Sequence, residues 1–266
     1  MEVHSLGYRT DLIFARFDGD VRDRGDFLVV RTPANPGYYW GNFLLSQEAP
    51  KDGDDRAWPE RFRREIGGPP TVAHQAFGWD SQKKGMVQAF LESGFQLRQL
   101  TVMACTSPRR PDRVASQVEI RPLVTDEEQE AAIENQVLCR EPGHEEADYR
   151  RFVERQTERY ARMTAAGLGD WYGAFYQDRL VADLGLYGDD ELGRYQSVET
   201  HPDFRRRGIA GTMVYQAGRR AIAKYGLRSL VIVAETESDA SRLYTNTGFV
   251  PVESQWGLKK WPNASD

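Results

Sequence analysis

The sequence predicts an α/β fold of the α+β kind: a mixed central β-sheet flanked by helices, laid down in two tandem copies along 266 residues. Three observations carry this. Segments of apolar-polar alternation are interleaved with segments of helical apolar spacing along the whole chain. A strand at Tyr195–Thr200 runs through a basic, glycine-bearing turn directly into a helix. A helix ending in Gly-Phe and followed by a strand occurs twice, as AFLESGF (89–95) and LYTNTGF (243–249).

In the first half, Leu6–Phe17 alternates loosely and reads as a strand ending at the Asp18-Gly19 turn. Asp26–Thr32 is a second strand, stopped by Pro33, and Tyr39–Ser46 a third. An acidic stretch, Gln47–Arg56, precedes a short helix over Trp58–Ile66 with Pro59 in its first turn. Val72–Phe77 is a candidate strand, Met86–Ser93 a helix capped by Gly94, and Gln96–Ala104 a strand. Ser107–Val114 (SPRRPDRV) is polar and proline-bearing, and reads as the linker between two domains.

In the second half, Val118–Leu123 is a strand. Thr125 with Glu128 three residues on is a capping box for a helix over Asp126–Leu138. Tyr149–Thr164 is a second helix. Trp171–Tyr176 and Arg179–Tyr187 form a hairpin about Gln177-Asp178, and Tyr195–Thr200 is the next strand. The helix after the basic turn ends at Tyr225-Gly226. Ser229–Ala234 is almost wholly apolar and reads as a central strand. Ser238 caps a helix over Asp239–Thr247, ended by Gly248. Val250–Val252 and Gly257–Trp261 are final strand pieces.

Composition narrows the function. Lys plus Arg number 35 against 40 Asp plus Glu, a net charge of −5, which argues against a general binder of nucleic acid or anionic membrane. No apolar run is long enough to span a bilayer. The N-terminal MEVHSLGYRTDL lacks the basic-then-apolar pattern of a signal peptide. With Cys105 and Cys139 in different expected domains, a reducing cytoplasmic compartment is the simplest expectation. No Cys/His cluster has metal-ligand spacing, so no metal is expected.

The turn His201–Gly211 carries the chemistry. His201-Pro202-Asp203 stops the strand, and Arg205-Arg206-Arg207-Gly208 leads into a helix whose apolar residues are Ile209, Met213, Ala217, Ala221 and Ile222. Unpaired N–H groups and the positive end of the helix dipole point out of such a turn, which suits a phosphate. Gly208, Ala210 and Gly211 let a ligand approach the main chain. A solvated basic helix start is the plain alternative. The spacing is neither a Walker A loop nor G-x-G-x-x-G.

Arg205-x-x-Gly208-x-Ala210 does resemble the Q/R-x-x-G-x-G/A pyrophosphate signature of the GNAT superfamily of acyl-CoA N-acyltransferases. Ala240-x-x-Leu243-Tyr244-x-x-x-Gly248-Phe249 resembles a second motif of that superfamily, at the matching distance downstream. The resemblance covers 118–261 well and the first half weakly. It implies a GNAT acetyltransferase domain over 118–262, and the Gly-Phe repeat implies a degenerate GNAT-like domain over 1–110. In that first domain the phosphate turn corresponds to Lys51–Asp55, whose acidic residues would repel a pyrophosphate. An unrelated α+β domain is the alternative.

The resemblance implies acetyl-CoA as co-substrate and transfer of its acetyl group to a primary amine of a small molecule or peptide. It assigns the pantetheine arm to the main chain of Val198, Glu199 and Thr200. It assigns the pyrophosphate to the turn, Arg205, Arg206, Arg207, Gly208, Ile209, Ala210, Gly211 and Thr212. Glu237 stands where the superfamily usually has an Asn that bonds the CoA arm. A carboxylate accepts but cannot donate, which puts that contact in doubt and leaves Ser238 or Ser241 as substitutes. Tyr244 is assigned the role of acid toward the leaving thiolate; a packing aromatic is the alternative. A thiol titrates near ~8.5 and a tyrosine near ~10, so the transfer is chemically accessible. Glu199 is the candidate base, acting through water, with an ordinary strand residue as the alternative; Asp183, Glu235, Glu237, His144 and His201 are weaker candidates. A CoA-binding module without turnover is the competing function, with the first domain as a partner interface. No nucleic-acid or membrane partner is expected, and a homodimer is left open.

Overall fold

The computed structural model describes residues 1–261; Pro262, the expected end of the second domain, lies outside them. The chain forms two compact units. The first comprises Met1–Val102 together with the C-terminal residues from Glu253, and the second Met103–Val252. These boundaries differ from the expected 1–110 and 118–262. The chain leaves the first unit inside one strand and returns to it inside another, so neither crossing is marked by a flexible, polar linker.

In the first unit, α1 (Leu6–Asp18) precedes β1 (Asp20–Asp23), β2 (Phe27–Arg31) and β3 (Phe43–Ser46). Then come α2 (Asp54–Glu65), β4 (Gln75–Trp79), α3 (Gln88–Glu92) and β5 (Gln96–Cys105). The last strand, β11 (Val250–Lys260), completes a sheet ordered β1-β2-β3-β4-β11-β5. Leu6–Phe17 is therefore a helix where the alternation predicted a strand. The side chain of Ser5 accepts from Tyr8 N–H at its start, and Tyr8, Leu12 and Ala15 lie on one face in the core. Burial of that face outweighs the local alternation. Phe27, Trp58, Phe62, Phe77, Trp79, Phe90, Phe95 and Leu258 form the aromatic core on the other side of the sheet.

The two expected terminal strand pieces are one continuous strand. Residues 253–256 are polar because each is used at its own place in the first unit. Glu253 accepts from Ser5 Oγ at 2.7 Å and from Gly7 N–H at 2.7 Å. Gln255 Nε2 donates to Asp11 Oδ2 at 2.6 Å, and the Trp256 carbonyl accepts from the Tyr8 hydroxyl.

The second unit contains β6 (Glu119–Pro122), α4 (Asp126–Leu138), α5 (Glu146–Ala165), β7 (Gly169–Tyr176), β8 (Arg179–Asp189) and β9 (Leu192–Thr200). They are followed by α6 (Ile209–Tyr225), β10 (Ser229–Glu235) and α7 (Asp239–Asn246), with strand order β10-β9-β8-β7-β6. The Thr125/Glu128 capping box forms as expected. Gln177 and Asp178 both take positive φ in the β7–β8 hairpin, as a tight turn with the twist of its strands requires. Tyr172, Leu184, Leu186, Tyr195, Met213, Val214, Leu230 and Phe249 fill the core between the sheet and α6.

Candidate active site

The site begins with two parallel strands that part. β9 and β10 are paired only at Leu192–Ser229, Gly193–Leu230 and Arg194–Val231. Beyond Arg194, β9 runs on to Thr200 and β10 to Glu235 without pairing to each other. The cause is local. The register between β8 and β9 shifts between Asp183 and Gly185, and Ser197 sits there at φ 43°. A bulge of this kind bends its strand and strengthens the twist. Val198, Glu199 and Thr200 thus lie on a strand whose edge toward β10 is open.

The turn lies at the end of that strand. Pro202–Phe204 makes one 3-10 turn, Arg206 and Gly208 take positive φ, and Gly208 caps α6. Among the described residues, no acceptor of the chain meets the backbone N–H groups of Arg206 through Gly211. Arg205 Nε donates to the Thr200 carbonyl at 3.1 Å, and Arg207 Nη2 donates to the Asp203 carbonyl at 2.8 Å. These two arginines brace the turn, while Arg206 is exposed. His201 is part of the brace: Arg179 Nη2, which can only donate, lies 2.9 Å from its Nε2.

Three expected ligand contacts are met differently. The Thr212 hydroxyl is buried, donates to the Gly208 carbonyl at 2.7 Å and accepts from Ala115 N–H at 2.9 Å. The Ile209 side chain belongs to the core, so only its main chain faces the turn. The Ser241 hydroxyl donates to the Ser238 carbonyl at 2.8 Å, and Ser238 Oγ accepts from Ser241 N–H at 3.1 Å. Both serines are occupied in the α7 cap; Glu237, beside them, is exposed at φ 58°.

The expected linker, Ser107–Val114, is packed. Arg109 N–H donates to the Thr247 carbonyl at 2.8 Å. Pro111 lies beside Gly211, and the Arg113 carbonyl lies against Gly208. The hydrogen bond to the end of α7 and the packing against the start of α6 fix a segment that composition alone marks as flexible.

Glu199 and Asp183 face each other across β8 and β9 as directly opposed residues. Asp183 is fully buried. Its Oδ2 accepts from Asn135 Nδ2 at 2.6 Å, and its Oδ1 accepts from Gln136 Nε2 at 2.5 Å and Trp171 Nε1 at 3.1 Å. Gly185 makes room for that indole: a Cβ there would stand 2.7 Å from the Trp171 ring. Burial pushes the Asp183 carboxyl up to about 7, against the pull of the three donors. Burial likewise pushes Glu199 up to about 7, opposed by the charge of Arg205.

The charge of Glu199 is felt by three further groups. Burial and then Glu199 push Cys139 up to about 11 and Tyr149 up to about 12. The same two causes, in the same order, hold Tyr244 well above the usual tyrosine range. Tyr244 is 6% exposed and packs edge-on against Phe249. No described residue bonds its hydroxyl.

Asn135, Gln136, Trp171 and Cys139 escaped sequence reasoning as site residues. One signal was present: Gln136 falls one turn after Ala132 and beside Val137, so it lies on the apolar face of α4. A polar residue there needs a buried partner.

The first unit offers a contrast at the corresponding place. β3 and β4 pair in parallel at Leu44–Phe77, Leu45–Gly78 and Ser46–Trp79, and Asp80 N–H donates to the Ser46 carbonyl. They do not part. At the start of α2, Asp54 Oδ2 accepts from Lys51 N–H at 2.8 Å. This helix start thus already carries a carboxylate.

The parting strands and the open helix start stand on a mixed sheet flanked by helices, a GNAT-like fold. Residues 173–256 match the family model described as FR47-like protein, a GNAT-related family. A functionally unknown conserved protein from Staphylococcus epidermidis is 15% identical with a TM-score of 0.71, covering 93% of this chain and 96% of that one. A GCN5-related N-acetyltransferase from Kribbella flavida is 14% identical with a TM-score of 0.66, covering 96% and 94%. A tandem GNAT protein from the clavulanic acid biosynthesis pathway is 12% identical with a TM-score of 0.54, covering 97% and 89%. Among curated proteins none matches the sequence significantly. Among the described residues, no helix is long and apolar enough to cross a membrane.

Proposed function

We propose that the chain is an N-acetyltransferase that moves an acetyl group from acetyl-CoA to a primary amine of a small molecule or peptide. The observation that carries the reading is the open edge of Val198–Thr200, running into a turn with six unsatisfied N–H groups. A strand edge pairs with pantetheine amides as with another strand. Donors at a helix start, with Arg206 beside them, suit a diphosphate. Acetyl-CoA supplies the activated acyl group. Glu199, near neutrality, is matched to taking the proton of an ammonium acceptor, and the unbonded Tyr244 hydroxyl to meeting the departing sulfur.

The first unit is read as a diverged copy without this site, since its strands stay paired and its helix start holds Asp54. The two free cysteines fit a reducing cytoplasmic compartment. The test is thiol release from acetyl-CoA over polyamines, aminoglycosides, amino acids and peptide N-termini. Turnover with at least one amine class is expected. CoA binding by calorimetry with no turnover across the panel would leave a binding module; absence of binding would remove the reading altogether.

A further inference from the structure

Asp183 is the most deeply buried carboxyl of the site, and acid-base chemistry by Glu199 alone makes no use of it. It is sealed from solvent. Every group that bonds it is a neutral donor: two amides and an indole. Three donors and no acceptor are the environment of an ionised carboxylate. Directly opposite on β9 is Glu199, and residues opposed in this way have Cβ atoms about 4.5–5.5 Å apart. The Ser197 bulge sets which β9 side chain opposes Asp183.

Two carboxylates so close, in a site largely closed to water, cannot both be ionised cheaply. The donors decide between them. They favour the negative charge on Asp183 against its burial, so the shared proton rests preferentially on Glu199, the partly exposed member.

We propose that Asp183 and Glu199 act as one coupled pair, in which Asp183 is a positioning residue whose fixed charge sets the proton affinity of Glu199. Other groups act on the pair. Arg205 favours loss of the Glu199 proton and Glu141 opposes it. Cys139 at the end of α4, Tyr149 on α5 and Tyr244 on α7 are neutral groups near it, held un-ionised first by burial and then by the charge of Glu199. When the pair has lost its last proton, Glu199 is the base. One N–H bond of the acceptor ammonium breaks and one O–H bond forms on Glu199; the freed lone pair forms the C–N bond at the thioester carbonyl, the C–S bond breaks, and the sulfur leaves as a thiol with the Tyr244 proton, which Tyr244 regains from the amide nitrogen. This deepens the acetyltransferase reading and rests on it for the catalytic step, whereas the coupling is a property of the protein alone.

Two measurements separate the two. In the ligand-free full chain, carbon-13 NMR of the side-chain carboxyls should show Asp183 and Glu199 titrating together in two steps. In Glu199→Gln, Asp183 should titrate in one step below the upper of those two. Independent single steps, unmoved by Glu199→Gln, would overturn the proposal whether or not the chain has activity. With a responsive amine, Asp183→Asn should move the acid limb of kcat/KM down by about one pH unit or more, with KM for acetyl-CoA changed less than twofold. A lower rate on an unmoved limb means a merely structural role and overturns it. If Asp183→Asn does not fold, the wild-type and Glu199→Gln titrations decide alone. Coupled titration without turnover would sink the acetyltransferase reading and leave the pair standing.

Discussion

A Cβ on Gly208 would stand 2.6 Å from the carbonyl oxygen of Arg113. The glycine at the head of α6 is therefore required by the chain's own packing, at φ 80°, before any ligand is considered. Gly208→Ala should destabilise the second unit by about 2–4 kcal/mol, from left-handed strain and a backbone contact that cannot yield. Thermal denaturation without ligand checks this, and a midpoint equal to wild type would show that Arg113 moves aside freely.

A cleaner probe of the turn is Ala210→Asp. A carboxylate in the first turn of α6 favours the helix through its dipole, so the melting temperature should hold or rise slightly. The same charge would oppose a diphosphate on the N–H groups of Arg206–Gly211, weakening CoA binding by about tenfold or more. Calorimetry reads both halves. Unchanged CoA affinity in a folded Ala210→Asp chain would mean the diphosphate does not lie on this turn.

Tyr244→Phe removes a hydroxyl that no described residue bonds, so packing against Phe249 should survive. With an active amine, kcat should fall by about 10²–10⁴ with KM for acetyl-CoA nearly unchanged, as for a lost general acid. Burial first, and then the charge of Glu199, hold the Tyr244 proton in place, so protonation of Glu199 removes one of the two restraints on the phenol. The deficit should shrink with donors whose thiol is less basic. Wild-type turnover in Tyr244→Phe would reduce this residue to a packing role.

Stability should depend on pH through the same pair. Glu199 is raised in the folded chain to about 7, above its unfolded value near ~4.3. Between these values the folded state binds more protons, so stability is fullest below about pH 4 and declines as pH rises to about 7. Glu199→Gln should therefore raise the denaturation midpoint at pH 8 relative to wild type, and do so much less at pH 4. Parallel wild-type and variant profiles would contradict the raised value.

The C-terminal strand gives a stability prediction for the first unit. Leu258 is fully buried there, beside the pairing of β11 with β4. Leu258→Ala should cost about 2–5 kcal/mol. The loss should appear in hydrogen exchange of β2, β3 and β4. If those strands exchange as in wild type, Leu258 is not part of their cooperative unit.

The basic turn, the helices around it and the strand before it were legible because each depends on neighbours in sequence. Arg205–Gly211, the Thr125 box and the Ser238 cap are local patterns with local causes. What the sequence concealed depends on distance along the chain. Glu253 and Gln255 read as loop until Ser5, Gly7 and Asp11 supply their partners. Ser107–Val114 reads as linker until Thr247 takes the Arg109 N–H and Arg113 packs on Gly208. Asp183 reads as one of many strand acids, because its burial is decided by Asn135, Gln136 and Trp171 on other elements. The fold was thus clear where periodicity and caps speak, and candidates for the acid-base chemistry came only from the resemblance, Tyr244 inside a motif and Glu199 on the strand before the turn.

The place of β11 has a consequence for synthesis. β4 is flanked by β3, which precedes it, and by β11, which begins at Val250. On the ribosome, the edge of β4 that β11 covers must wait while Met103–Val252 is made. At typical elongation rates those roughly 150 residues take on the order of ten seconds. For that interval an apolar strand carrying Phe77 and Trp79 has an open side. Nascent chains stalled before Val250 should be cut by protease within β2–β4 and bound by chaperones, and chains released in full should not. The timing of the first unit's completion is thus set by a strand translated after the whole of the second unit.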